Sequence, residues 1–206
     1  TAKLPIIQGG MGVAISLSGL ASAVANEGGI GVIATVGMNM FEEDFSKDYL
    51  GSNIRALRKE IRKARELSKG IIGVNIMVAL TNYADMVTTS IEEGIDIIIS
   101  GAGLPLNLPA FLKGKKGPKL VPIVSSGRAA NLICKRWIEK YNYLPDAVIV
   151  EGPLAGGHLG FKIEQIDNPD YKLEKLIPEV IKEVRHFEAQ YKKNIPVIAA
   201  GGIYTG

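Results

Sequence analysis

Reactive side chains are few in this sequence of 206 residues, which has one cysteine, two histidines and one tryptophan. The single Cys134 excludes an internal disulfide and suits a reducing cytoplasm. Beside Leu132 and Ile133, on the apolar side of a predicted helix, it reads as a packing residue. No two Cys or His stand at metal-ligand spacing. His158 and His186 are far apart and His186 sits in a charged helical pattern, so no metal site is expected. No apolar run approaches the roughly 18 residues that cross a membrane. Charge of one sign is scarce too, with a net value of +3. The local cluster Lys113, Lys115, Lys116 and Lys119 has no aromatic residues among it and reads as a solvated loop, so neither nucleic acid nor membrane is an expected partner.

What is abundant is apolar sequence: 47% of residues are hydrophobic and 22% charged, enough to build the core of one domain over residues 1–206. Runs of β-branched and apolar residues begin near Pro5, Ile30, Ile71, Ile95, Leu120, Ala147 and Ile195. None alternates apolar with polar, so each is predicted as a strand buried on both faces, as parallel strands are. Helical spacing connects Ile54, Leu57, Ile61, Ala64 and Leu67, with Ser52 or Asn53 as the cap. Leu132, Ile133 and Trp137 mark a second helix. Leu176, Ile177, Val180, Ile181 and Val184 mark a third. Strand–helix alternation implies right-handed βαβ units and an α/β fold. Glycines after most of the runs favour a (β/α)8 TIM barrel over a doubly wound sheet. Only seven strands are predicted, so the expectation is a barrel truncated after its seventh strand, part of a longer enzyme rather than a naturally short protein.

Chemistry is expected in the turns. Ala155-Gly156-Gly157-His158 follows the run Ala147–Val150, and histidine is the side chain best matched to proton transfer near neutral pH. Gln8-Gly9-Gly10-Met11-Gly12, Gly101-Ala102-Gly103, Ser125-Ser126-Gly127 and Gly201-Gly202 follow other runs. Together they would ring the C-terminal mouth of a barrel, where a flat ring system can rest on backbone amides and a phosphate can meet main-chain N–H groups. Asn75 places an amide inside an apolar strand, where it needs partners. Structural bonding to neighbouring backbone and contact to a cofactor are both open for it.

These segments resemble a known family. Pro5–Gly12, Glu27–Gly31, Gly73–Met77, Glu151–Gly160 and Pro196–Ile203 are similar, in order, to nitronate monooxygenases, formerly 2-nitropropane dioxygenases, whose relatives include FMN-dependent enoyl-acyl-carrier-protein reductases. The Ala155–His158 element is the most specific part. The resemblance implies an FMN-binding TIM barrel that requires no metal. Gly9, Gly10 and Met11 would lie against the flavin and Asn75 would hydrogen-bond it. Glu151 and Gly156 would line the pocket, and Gly201 and Gly202 would hold the phosphate. His158 would be the catalytic acid/base group. The implied reaction is oxidation of a nitronate or nitroalkane by molecular oxygen, with a homo-oligomer left open. The alternatives are an NAD(P)H-dependent enoyl reductase using the same elements, and a non-catalytic barrel binding a phosphorylated ligand. Two departures stand out. Glu151 occupies a position where the family often has Gln, and no Gly-Thr-Arg segment is present, from which weak FMN binding is expected.

Overall fold

A computed structural model describes residues 2–203, so Thr1 and Tyr204–Gly206 lie outside the described residues. The fold is α/β. Strands β1 (Ile30–Ala34), β2 (Ile71–Met77), β3 (Ile97–Gly101), β4 (Lys119–Val124), β5 (Val148–Glu151) and β6 (Val197–Ala200) are joined through helices α1 (Ser18–Asn26), α2 (Tyr49–Leu67), α3 (Tyr83–Glu92), α4 (Gly127–Tyr141), α5 (Ile163–Ile166) and α6 (Leu173–Tyr191). The chain divides into two compact units, Thr1–Ile99 with Lys115–Lys119, and Ser100–Gly114 with Leu120–Gly206. No helix among the described residues is long and apolar enough to cross a membrane.

In the first unit β1 and β2 pair in parallel, Ile30 opposite Ile71 and Ala34 opposite Asn75. Helix α1 packs on them through small residues. Ser18, Ala21, Ser22 and Ala25 are its buried face, and the backbone of Ala21 comes so close to β1 that a Cβ on Gly31 would lie 1.8 Å from its carbonyl oxygen. Leu57, Ile61 and Ala64 of α2 and Met86 and Val87 of α3 complete this core. In the second unit β4, β5 and β6 pair in parallel. Ile133, Cys134 and Trp137 of α4 and Leu176, Val180 and Val184 of α6 are buried there. The indole N–H of Trp137 donates to the Pro105 carbonyl at 3.0 Å. Burial pushes the Cys134 thiol up to about 12, which leaves it protonated and inert.

Strand starts are stapled by aspartates in both units. Asp96, just before β3, accepts from the Ile72 N–H at 2.9 Å and pairs with Arg65. Asp146, just before β5, accepts from the Leu120 N–H at 3.0 Å and pairs with Lys193. Each carboxylate satisfies the amide of the second residue of a strand, Ile72 in β2 and Leu120 in β4.

Four expectations change. The run near Pro5 forms no regular strand, so six strands stand among the described residues where seven were predicted. It contributes one parallel bridge, Ile7 to Ile30, with backbone hydrogen bonds from Leu4 to Gly28, Ile30 to Ile6 and Gln8 to Ile30. Helix α2 starts earlier than predicted and is capped by Asp48, which accepts from Gly51 N–H at 2.9 Å. Ser52 and Asn53 instead lie inside α2, where both side chains bond the Tyr49 carbonyl. Strand β6 is only half-buried, and β5 is its one partner among the described residues. Helices α1, α3 and α5 lack the apolar periodicity that identified the other three.

Gly31→Ala should lower unfolding stability by about 3 kcal/mol or more, since the new methyl meets backbone and not a movable side chain. Urea denaturation followed by far-UV circular dichroism measures it.

Candidate functional site

In the first unit the site is built by a side chain that stands in for backbone. Gln8 follows the short pairing of Ile7 with Ile30, and its amide continues that ladder. Its Nε2 donates to Val32 O at 3.0 Å, and Val32 N–H donates to its Oε1 at 3.3 Å. The backbone after Gln8 is thereby released from β1. Ser16, fully buried, fixes the turn that follows: its hydroxyl accepts from Gln8 Nε2 and from Met11 N–H, both at 2.9 Å. Gly10 then comes to rest on Asn75. A Cβ there would lie 2.7 Å from the Asn75 Cβ and 3.3 Å from its Nδ2. Nothing stands within 4 Å of the corresponding point on Gly9.

Asn75, near the C-terminal end of β2, is half-buried. Its carbonyl accepts from the Thr35 N–H at 3.1 Å and the Thr35 hydroxyl at 3.2 Å. Its side-chain amide makes no hydrogen bond to another described residue. The structural reading, an amide bonded to neighbouring backbone, therefore does not account for it.

In the second unit Glu151 ends β5 opposite Ala200 of β6. It is half-buried, and burial raises its carboxyl above the ordinary carboxylate value. The turn after it is closed by Gly152 N–H to Ala200 O at 2.9 Å and Ala155 N–H to Gly152 O at 3.1 Å. Gly201 and Gly202 have φ of 93° and 71°. A Cβ on Gly201 would strike Ala155 at 2.8 Å, and one on Gly202 would strike Leu154 at 2.9 Å. Packing against the Leu154–Ala155 turn thus requires both glycines. Gly156, Gly157 and His158 are exposed, and nothing lies within 4 Å of a Cβ placed on either glycine.

The second unit therefore packs Gly201 and Gly202 on the turn that follows Glu151, with Gly156 and His158 exposed farther along the same segment, and the first unit packs Gly10 on Asn75 with Gly9 and Met11 beside it in sequence. Two helix N-termini are already filled. Glu60 accepts from Ser18 N–H of α1 at 2.8 Å, and Glu179 accepts from Gly127 N–H of α4 at 2.9 Å. The Ser125–Gly127 turn is consequently no free anion cradle. The residues not singled out from the sequence are Gln8 and Ser16 in their positioning roles. An amide and a hydroxyl flanking a run of small residues were the available signal.

A model of the nitronate monooxygenase family matches residues 1–206. The chain belongs to that family. Its members are flavin-dependent oxidoreductases in general. Among curated relatives, a (3aS,4S,5R,7aS)-5-hydroxy-7a-methyl-1-oxo-octahydro-1H-indene-4-carboxyl-CoA dehydrogenase of Mycobacterium tuberculosis is 28% identical over 202 residues, covering 98% of this chain and 46% of that protein. A probable nitronate monooxygenase of Staphylococcus saprophyticus is 25% identical over 233 residues, covering 99% of this chain and 59% of that protein. The chain thus spans about half the length of the curated relatives it matches. FabK from Thermotoga maritima superposes with a TM-score of 0.74 at 31% identity, over 100% of this chain and 53% of that one. A nitroalkane oxidase from Streptomyces ansochromogenes, at 22% identity and a TM-score of 0.72 over 98% of this chain and 59% of that one, shares the fold.

Gln8→Leu should strand the buried N–H and C=O of Val32 and destabilise this nitronate monooxygenase family chain by about 2–4 kcal/mol. Chemical denaturation gives the loss, and amide exchange at Val32 should accelerate with it.

Proposed function

We propose that this protein oxidises alkyl nitronates, and nitroalkanes once deprotonated, with molecular oxygen in an FMN-dependent reaction. The reading takes residues 1–206 as one FMN-binding domain of a (β/α)8 barrel, to which the parallel strands and their alternation with helices conform. A cytoplasmic setting fits the buried thiol of Cys134. The observation that carries the reading is the unpartnered Asn75 amide beside Gly10 in a chain matched throughout by the nitronate monooxygenase family.

The residues present fit a flavin. Gly9 leaves open space over the turn, where a flat ring can approach backbone, and the Asn75 amide offers both a donor and an acceptor. Gly156 and Gly157 leave similar space in the second unit. Gly201 and Gly202, shaped by their packing on Leu154 and Ala155, would present main-chain N–H groups to a phosphate. Met11 would supply an apolar contact. Glu151 is the departure from the family pattern, and burial favours its neutral acid.

FMN, when bound, supplies the electron acceptor and the reaction with oxygen. The chain's own share is orientation and proton handling. An imidazole nitrogen of His158 takes the α-proton of a neutral nitroalkane and leaves the negative charge on the nitro oxygens. With a preformed nitronate that proton is already gone, and the same side chain stabilises the anion.

His158→Ala should lower kcat/KM for a neutral nitroalkane by about 100-fold or more. It should leave turnover of the preformed nitronate within several-fold and FMN bound. Steady-state kinetics with both forms of one substrate separates these effects, and an equal loss with both would contradict a base role.

A further inference from the structure

The segment that carries His158 is held at its two ends and open in its middle. Upstream, Gly152 and Pro153 are buried, and the Leu154–Ala155 turn packs on Gly201 and Gly202. Downstream, the Ser125 hydroxyl donates to the Gly160 carbonyl at 3.4 Å, and a Cβ on Gly160 would lie 2.8 Å from that hydroxyl oxygen. The next residue, Phe161, meets the Tyr171 ring edge-on, with centroids 6.1 Å apart and planes at 83°. Such a contact constrains an aromatic pair in both distance and angle. Between these ends, no hydrogen bond holds residues 156–159 among the described residues. The imidazole of His158 is exposed and has no hydrogen-bond, ion-pair or ring partner among them. The glycines divide in the same way. A Cβ on Gly160, Gly201 or Gly202 would strike a neighbour, whereas one on Gly156 or Gly157 would meet nothing within 4 Å. The left-handed φ of 85° accounts for glycine at Gly157, but at Gly156 what glycine adds is backbone freedom alone. Ser125 also lacks another role, since Glu179 already occupies the helix end beside it.

We propose that residues 156–159 form a strap that carries His158 between two fixed ends, and that Ser125 and Tyr171 are positioning residues that set the reach of its imidazole. This deepens the reading of His158 as the base and rests on it. A base works only within a narrow range of distance and angle to the proton it takes. An imidazole with no partner of its own has that range set by the backbone beneath it. With both ends fixed, the strap swings through a short arc about Gly156 and Gly157. With the downstream end released, the same two glycines become the hinge of a loose arm, and the imidazole spends less time where it is needed.

The test has one readout that needs neither flavin nor turnover. Cys134 is buried and protonated, so a thiol-directed nitroxide labels His158→Cys selectively. Electron paramagnetic resonance then reports the motion of the strap, alone and combined with Tyr171→Ala, Tyr171→Phe or Gly160→Ala. Gly160 lies outside the left-handed region, so its alanine tests the contact with Ser125 without backbone strain. Tyr171→Ala and Gly160→Ala should each shorten the label's nanosecond correlation time about twofold or more, and Tyr171→Phe, which keeps the ring, should leave it unchanged. With His158 intact and FMN loaded, the same two substitutions should lower kcat for a neutral nitroalkane about tenfold and hold KM within about twofold. Tyr171→Phe should keep the parent kcat. Unchanged label motion in both Tyr171→Ala and Gly160→Ala would overturn the proposal, as would a rise in KM that matches the fall in kcat. If far-UV circular dichroism shows Tyr171→Ala unfolded, Gly160→Ala decides alone. Looser label motion with full nitroalkane turnover would support the anchored strap and refute His158 as the base.

Discussion

Between the first extended segment and β1, the hydrogen-bond ladder passes from backbone to side chain at Gln8, and the position of the Gly9–Ser16 turn follows from that exchange. Val32 is fully buried, and its N–H and C=O would otherwise need the backbone of the next residues as partners. The Gln8 amide meets both, so those residues are free to leave the sheet. Ser16 then gathers the released turn through its hydroxyl. The contact of Gly10 with Asn75, the open space over Gly9 and the left-handed Val13–Ala14 pair are all consequences. A single side-chain amide thus converts a would-be strand into a turn with open space over Gly9.

Carboxylates distribute the remaining backbone donors. Asp96 and Asp146 serve strand starts, at the ends of the strands away from the glycine turns. Glu60 and Glu179 occupy the N-termini of α1 and α4. An N–H at each of those two helix ends is thus already bonded within the protein. The two aspartates thus lie at the strand ends away from the glycine turns, whereas Glu60 and Glu179 sit directly beside turns that lead into helices.

The strands were legible because five of the six described are largely buried, so their runs are mostly apolar, with Asn75 in β2 and Ser100 in β3 as interior polar residues. Helices α2, α4 and α6 announced themselves through apolar residues at helical spacing. Helix α1 did not, since its inner face is serine and alanine selected for close approach to Gly31. The segment near Pro5 has the composition of a strand and loses that identity only through the long-range bond of Gln8 to Val32, which no local pattern encodes. Gly10 and Asn75 were both readable as candidates, but their mutual contact is a product of register. The left-handed conformation of Val13, with φ of 53°, was invisible, because it belongs to a turn held by Val13 N–H to Val36 O and Ser16 N–H to Met11 O.

The most direct test of the central claim is the visible spectrum of the FMN-reconstituted protein under anaerobic conditions, before and after addition of propyl nitronate and, separately, NADPH. The account predicts a flavin spectrum that propyl nitronate bleaches and NADPH leaves unchanged. Bleaching by NADPH alone, or a protein that holds no flavin after reconstitution, would contradict it.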